Sequence, residues 1–122
     1  MSYYDTCALA KPTNKKKKPL YNGYKDKSER ICFYCGTNYA ERHEVYGGSN
    51  KKISIAHQFQ VDLCTECHRE IEANITQQAI ARNDYWERHY QALYETKLIA
   101  LGTTPEDARK LWMAMIGRNY LD

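Results

Sequence analysis

What this chain lacks narrows its class first. No run of apolar residues approaches the ~18–20 that a membrane span requires. The opening residues, "MSYYDTCALAKP", carry no apolar core of a secretory signal. No internal repeat is present. Such a chain is expected in the cytoplasm, without a membrane partner, where thiols stay reduced. Five cysteines in that setting point to metal rather than to disulfides.

Most of the chain also lacks a positive balance. Residues 31–122 hold ten Lys and Arg against twelve acids, a net of −2, whereas residues 1–30 hold eight against Asp5, Asp26 and Glu29, a net of +5. The basic excess therefore lies wholly in the first 30 residues, centred on "NKKKKP" at 14–19. That segment has no sustained apolar period and contains Pro12, Pro19 and Asn22-Gly23, so residues 1–30 read as a flexible basic arm. An arm of this kind either solubilises the protein or neutralises phosphates on nucleic acid. The second reading makes Lys15, Lys16, Lys17 and Lys18 candidate nucleic-acid contacts. Cys7, alone in the arm, reads as an ordinary free thiol.

From Ile31 to residue 122 the pattern is that of one small α+β domain. Residues 41–46 fit a short strand ending in the Gly47-Gly48 turn, and "FQVDLC" at 59–64 alternates as a second strand. "SNKKISIAHQ" between them reads as an irregular connection or a single helical turn. "TECHREIEAN" predicts a helix from Thr65, with Glu66 early, where a negative charge suits the helix dipole. Thr76 is placed to cap a long helix whose Ile80, Trp86, Tyr90, Leu93, Tyr94 and Leu98 form an apolar stripe, stopped by Gly102. Thr104 and Pro105 open a last helix with Ala108, Leu111, Trp112, Met115 and Ile116 on one face, closed by Gly117. Trp86 and Trp112 are assigned to packing rather than to ligand binding.

Four cysteines fall into two Cys-x-x-Cys pairs, Cys32/Cys35 and Cys64/Cys67. Two thiolates in such a turn chelate one ion together, and two turns complete a closed tetrahedral zinc site. Gly36, directly after the first pair, suits the sharp turn. The 28 residues between Cys35 and Cys64 are tolerable because loop-closure cost grows only logarithmically. "CTECH" also matches the c-type haem attachment pattern, but that reading needs an oxidising compartment and leaves the first pair unexplained.

His68 follows the second pair, and Glu72 lies four residues on, so a helix puts both on one face, able to share a divalent ion. In isolation "REIE" is acidic decoration of a surface helix. The context is fuller: "ERHEVYGGSNKKISIAHQFQVDLCTECHREI" at 41–71 resembles the HNH (His-Me finger) nucleases, most of all small phage and prophage members, and the ending "MIGRNYLD" is similar to that group as well. The resemblance implies a zinc-stapled ββα core at 31–122 with two C-terminal helices. It implies a metal-dependent DNA endonuclease with structural zinc on the four cysteines and a catalytic Mg2+, Mn2+ or Ni2+ on His68 and Glu72. His43 and Glu44 would be the catalytic pair, and Lys51 and Lys52 would join the arm on DNA. The family pattern places a ligand and then a base histidine on the strand; here Glu44 stands in the second place, so which of His43 and Glu44 does what stays open. For the family's middle Asn, Asn50 is available, while the usual place nearer the second pair holds Phe59 and Gln60. His57 is structural or a phosphate contact, and His89 is structural. The alternative implied is a non-catalytic zinc module that binds DNA, or a phage packaging or replication complex.

Overall fold

The computed structural model describes residues 27–122. The arm lysines Lys15, Lys16, Lys17 and Lys18, and Cys7, lie outside the described residues. The molecule is α+β: strand β1 (Glu41–Glu44), helix α1 (Lys51–His57), strand β2 (Gln60–Leu63), and helices α2 (Thr65–Ala73), α3 (Gln77–Ala100) and α4 (Pro105–Ile116). β1 and β2 form a two-stranded antiparallel sheet in which His43 pairs with Val61 and Glu44 with Gln60. No described helix is long and apolar enough to cross a membrane.

The described residues just before Ile31 are structured as well. Lys27–Glu29 form a single helical turn, Arg30 is buried, and its carbonyl accepts the Ala40 N–H at 3.1 Å. The connection between the strands is also more regular than expected. A 3-10 turn (Gly48–Asn50) leads into the two-turn helix α1. Ser54 in that helix is fully buried. Its hydroxyl donates to the Tyr46 carbonyl at 2.8 Å and accepts the Tyr46 N–H at 3.0 Å. That exchange ties the helix to the chain leaving β1 and satisfies both backbone groups where water cannot.

Capping follows the sequence signals. Thr76 Oγ1 accepts the Ala79 N–H at the start of α3, and Thr104 Oγ1 accepts that of Asp107 at the start of α4. Gly117 ends α4 with φ +89°, a left-handed conformation that costs other residues a Cβ clash.

The core joins the sheet to the long helices through Val61, Leu63, Phe59, Tyr46, Ile71, Trp86, Trp112 and Ile116. Phe59 packs against Tyr46, Tyr90 and Trp112 with ring centroids 5.3–5.9 Å apart, separations typical of favourable aromatic pairs. The apolar stripes are narrower than the sequence suggests. Ile80, Leu93 and Leu111 are 51%, 41% and 47% exposed. The buried line of α3 runs instead through Ala79, Trp86, Gln91 and Glu95. The reason is polar: the chain after α4 folds back onto α3 and is held there by hydrogen bonds. Gln91 Nε2 donates to Asn119 Oδ1 at 2.8 Å, Gln91 Oε1 accepts the Tyr120 N–H at 2.7 Å, and Arg88 donates to the Tyr120 carbonyl.

Candidate metal centre

The four predicted cysteines converge. Their sulfurs all lie within 4.8 Å of one another, with Cys35–Cys67 at 3.3 Å and Cys35–Cys64 at 3.8 Å. These separations are too long for disulfides, and all four are free thiols. Four thiolates around an ion at about 2.3 Å would sit roughly 3.8 Å apart, so the cluster fits a tetrahedral metal such as zinc.

Local structure builds each half of this cluster. After the first pair the chain reverses: the Gly36 N–H reaches the Cys32 carbonyl at 2.9 Å, and Gly36 takes φ +74°. The Cys35 N–H points at Cys32 Sγ from 3.3 Å. In the second pair Cys64 is the N-cap of α2, and its sulfur accepts the Cys67 N–H at 3.5 Å. The Phe33 N–H donates to the Asp62 carbonyl at 2.8 Å, pinning the first turn beside β2 and so beside the second pair.

The thiols perturb one another in opposite directions. Burial raises the Cys32 pKa, but hydrogen bonds from Cys64, Cys35 and Tyr34 outweigh it and bring the value down to about 6. Burial and the neighbouring sulfurs push the Cys67 thiol well up. Crowded sulfurs cannot all ionise without a compensating cation, and a bound metal would supply one.

A second group includes His68, the residue directly after Cys67. His43 on β1 and His68 and Glu72 on α2 bring their possible ligand atoms within 4.8 Å of one another. The two imidazoles meet edge to face, with centroids 5.1 Å apart. His68 Nε2 lies 3.2 Å from Glu72 Oε2, the expected i, i+4 pair. His43 is only 8% exposed, and its buried Nδ1 has no hydrogen-bond partner among the described residues. Desolvation, and then the charge of His68, hold its pKa down to about 4. A neutral, dry imidazole is suited to accept a proton or to ligate an ion.

Glu44 is not brought to this group. Successive side chains on a strand alternate faces, and Glu44 lies on the other one, where Gln60 Nε2 donates to its Oε2 at 3.3 Å. Arg42 shares that face and pairs with Asp62 at 3.6 Å. Asn50 is engaged elsewhere, donating to the Ile116 carbonyl at 3.0 Å. Phe59 is buried in the core. Lys51 and Lys52 are exposed at the start of α1. His57 stacks on Phe59, and exposed His89 stacks on Tyr85.

Glu41 escaped the sequence reading. Its Oε1 lies 2.7 Å from His68 Nδ1, and its Oε2 accepts a 3.0 Å hydrogen bond from the Thr65 hydroxyl. The His68 hydrogen bond, aided by Thr65, holds the Glu41 carboxyl below its ordinary range despite partial burial. The signal was present as strand period: residues 41 and 43, not 43 and 44, share the face toward the helix.

Comparison of the chain with family models, with curated proteins and with solved structures returned no match. Fold and site thus define a mixed α+β domain with a four-cysteine cluster able to hold a metal such as zinc.

Proposed function

We propose that the protein is a metal-dependent endonuclease of the HNH type, hydrolysing DNA phosphodiester bonds beside a structural zinc on Cys32, Cys35, Cys64 and Cys67. One observation carries the reading. A buried strand histidine with an unpartnered Nδ1 stands against a helix histidine and carboxylate within 4.8 Å, between an antiparallel strand pair and the helix that follows it.

In this reading His68 and Glu72 hold a divalent ion such as Mg2+ or Mn2+, and a mixed nitrogen and oxygen donor pair suits either. Such an ion supplies Lewis acidity that stabilises charge on the phosphate and the leaving oxygen. His43 takes the proton from the attacking water. Burial keeps it neutral at pH 7, so its lone pair is free for that proton, while a pKa of about 4 makes it a weaker base than an ordinary imidazole. Lys51 and Lys52, together with the basic segment that includes Lys15, Lys16, Lys17 and Lys18, supply positive charge for DNA phosphates.

Glu44 favours a second reading. It stands where the resembled family carries another histidine, and its side chain faces Gln60 instead. If His43 completes the ligand set of the ion, no strand residue remains as base. The chain is then a zinc-containing DNA-binding module or an accessory of phage packaging or replication.

Plasmid cleavage by the zinc-loaded protein with magnesium, manganese or nickel separates the two. The nuclease nicks plasmid in a reaction stopped by EDTA, and His43→Ala abolishes nicking while zinc content stays unchanged. Retardation of DNA with no nicking under any of these metals selects the binding module.

A further inference from the structure

An imidazole ligates a metal only through a nitrogen that carries no proton, and the hydrogen bond at the other nitrogen decides which one that is. His68 has a carboxylate at each nitrogen. Glu41 Oε1 lies 2.7 Å from Nδ1, and Glu72 Oε2 lies 3.2 Å from Nε2. The two contacts are unequal in kind as well as in length. The Glu72 side chain is 63% exposed, whereas that of Glu41 is 33% exposed and is anchored at its other oxygen by the Thr65 hydroxyl. The looser, wetter carboxylate is the one free to turn toward an ion. The shorter, doubly held one is fixed in place.

We infer that Glu41 is the positioning residue of this site: it holds the Nδ1–H of His68 and so leaves Nε2 as the lone pair facing Glu72 and His43. The inference rests on reading His68 as an ion ligand. Ring geometry keeps Glu41 itself out of the ligand set, because the two imidazole nitrogens point to opposite sides of the ring. Glu41 accordingly stands outside the group formed by His43, His68 and Glu72.

The arrangement comes from two periods meeting. On β1, Glu41 and His43 share a face, with Leu63 and Val61 as their cross-strand partners. On α2, Thr65 and His68 are three residues apart and lie on one face of the helix. Glu41 bridges both, so one side chain fixes the rotation of the His68 ring. Thr65 and His68 also flank Cys67, which ties the orientation of the ring to the cysteine cluster.

The test uses the full-length zinc-loaded chain and two readouts. Long-range 15N–1H spectra at pH about 9, above the ordinary imidazole range, should show Nδ1 of His68 protonated in the wild type. Glu41→Ala should lose that preference, with melting temperature and zinc content kept. Glu41→Gln retains an oxygen acceptor for Nδ1–H and should restore it, which a ligating carboxylate would not allow. In calorimetric titration with manganese, Glu41→Ala should bind about 10–100-fold more weakly, the usual cost of removing a carboxylate behind a metal-bound histidine, and Glu41→Gln should recover most of that loss. An unchanged His68 tautomer in Glu41→Ala, or equal loss of manganese affinity in Gln and Ala, overturns the role given to Glu41. A wild type that takes up no manganese overturns the ion site of the proposed nuclease, and the tautomer result still decides the role of Glu41.

Discussion

His43 shows how much one residue's setting can be read from its surroundings. Burial in the fold, with His68 nearby, drops its pKa to about 4, while in the unfolded chain the group titrates near the ordinary value of about 6.5. Between those values the unfolded state binds more protons than the folded state, so stability rises with pH and is lost as pH falls. From pH 7.5 to 5.5 this one group should remove roughly 1.4 kcal/mol of stability. Urea unfolding of the zinc-loaded protein at the two pH values, beside His43→Gln, measures it. The variant should lack that part of the loss, and equal losses in both proteins would mean that His43 titrates normally in the fold.

Within α3, the buried groups that matter most are polar. Gln91 is fully buried, donates to both Glu95 and Asn119, and accepts from the Tyr120 backbone. Glu95 in turn accepts from Arg109 on α4 at 2.7 Å. One network therefore closes α3, α4 and the final residues together. Gln91→Leu fits the space but leaves these partners without their bonds, at about 1–3 kcal/mol for each group that stays buried. The expected result is a lower melting temperature together with faster cleavage by carboxypeptidase at residues 118–122. Unchanged digestion would show that the remaining bonds, from Trp112 Nε1 to the Arg118 carbonyl at 2.7 Å and from Arg88 to the Tyr120 carbonyl, suffice to hold that end.

The apolar core of the described residues is small, so a metal on the cysteine cluster would add a large share of stability. Thirteen apolar residues are buried among those described, and a domain of this size gains much of its stability from a bound metal where one is available. Metal analysis should find about one zinc for each four-cysteine site. Cys32→Ser or Cys64→Ser should release it and abolish cooperative melting. A metal-free protein with an unchanged melting curve would remove zinc from the account. At the same scale, deleting residues 1–20 removes Lys11, Lys15, Lys16, Lys17 and Lys18. The melting curve should stay as it was. DNA affinity should fall, and the slope of log K against log salt should flatten by about 0.9 for each phosphate no longer neutralised. An unchanged slope would make the segment a solubilising arm only.

Local chemistry was legible in the chain by itself. The paired Cys-x-x-Cys turns, the caps at Thr76 and Thr104, the stop at Gly117 and the His68–Glu72 spacing each depend on residues within a few positions of one another. So does the α+β class, which follows from period two giving way to period 3.6. Apart from the meeting of the two cysteine pairs, the choices made by residues far apart in the chain lay beyond the sequence. Pleating turned Glu44 toward Gln60 and brought Glu41 to His68, and the packing of β1 on α2 buried Nδ1 of His43. The return of the final residues onto α3 gave Gln91 its partners and α4 gave Glu95 Arg109, while Ile80, Leu93 and Leu111 stayed in water. Hydrophobic period measures how apolar a face is, not whether a neighbour arrives to cover it. Gln91 could become a core residue because the fold delivered Glu95, Asn119 and the Tyr120 backbone as hydrogen-bond partners.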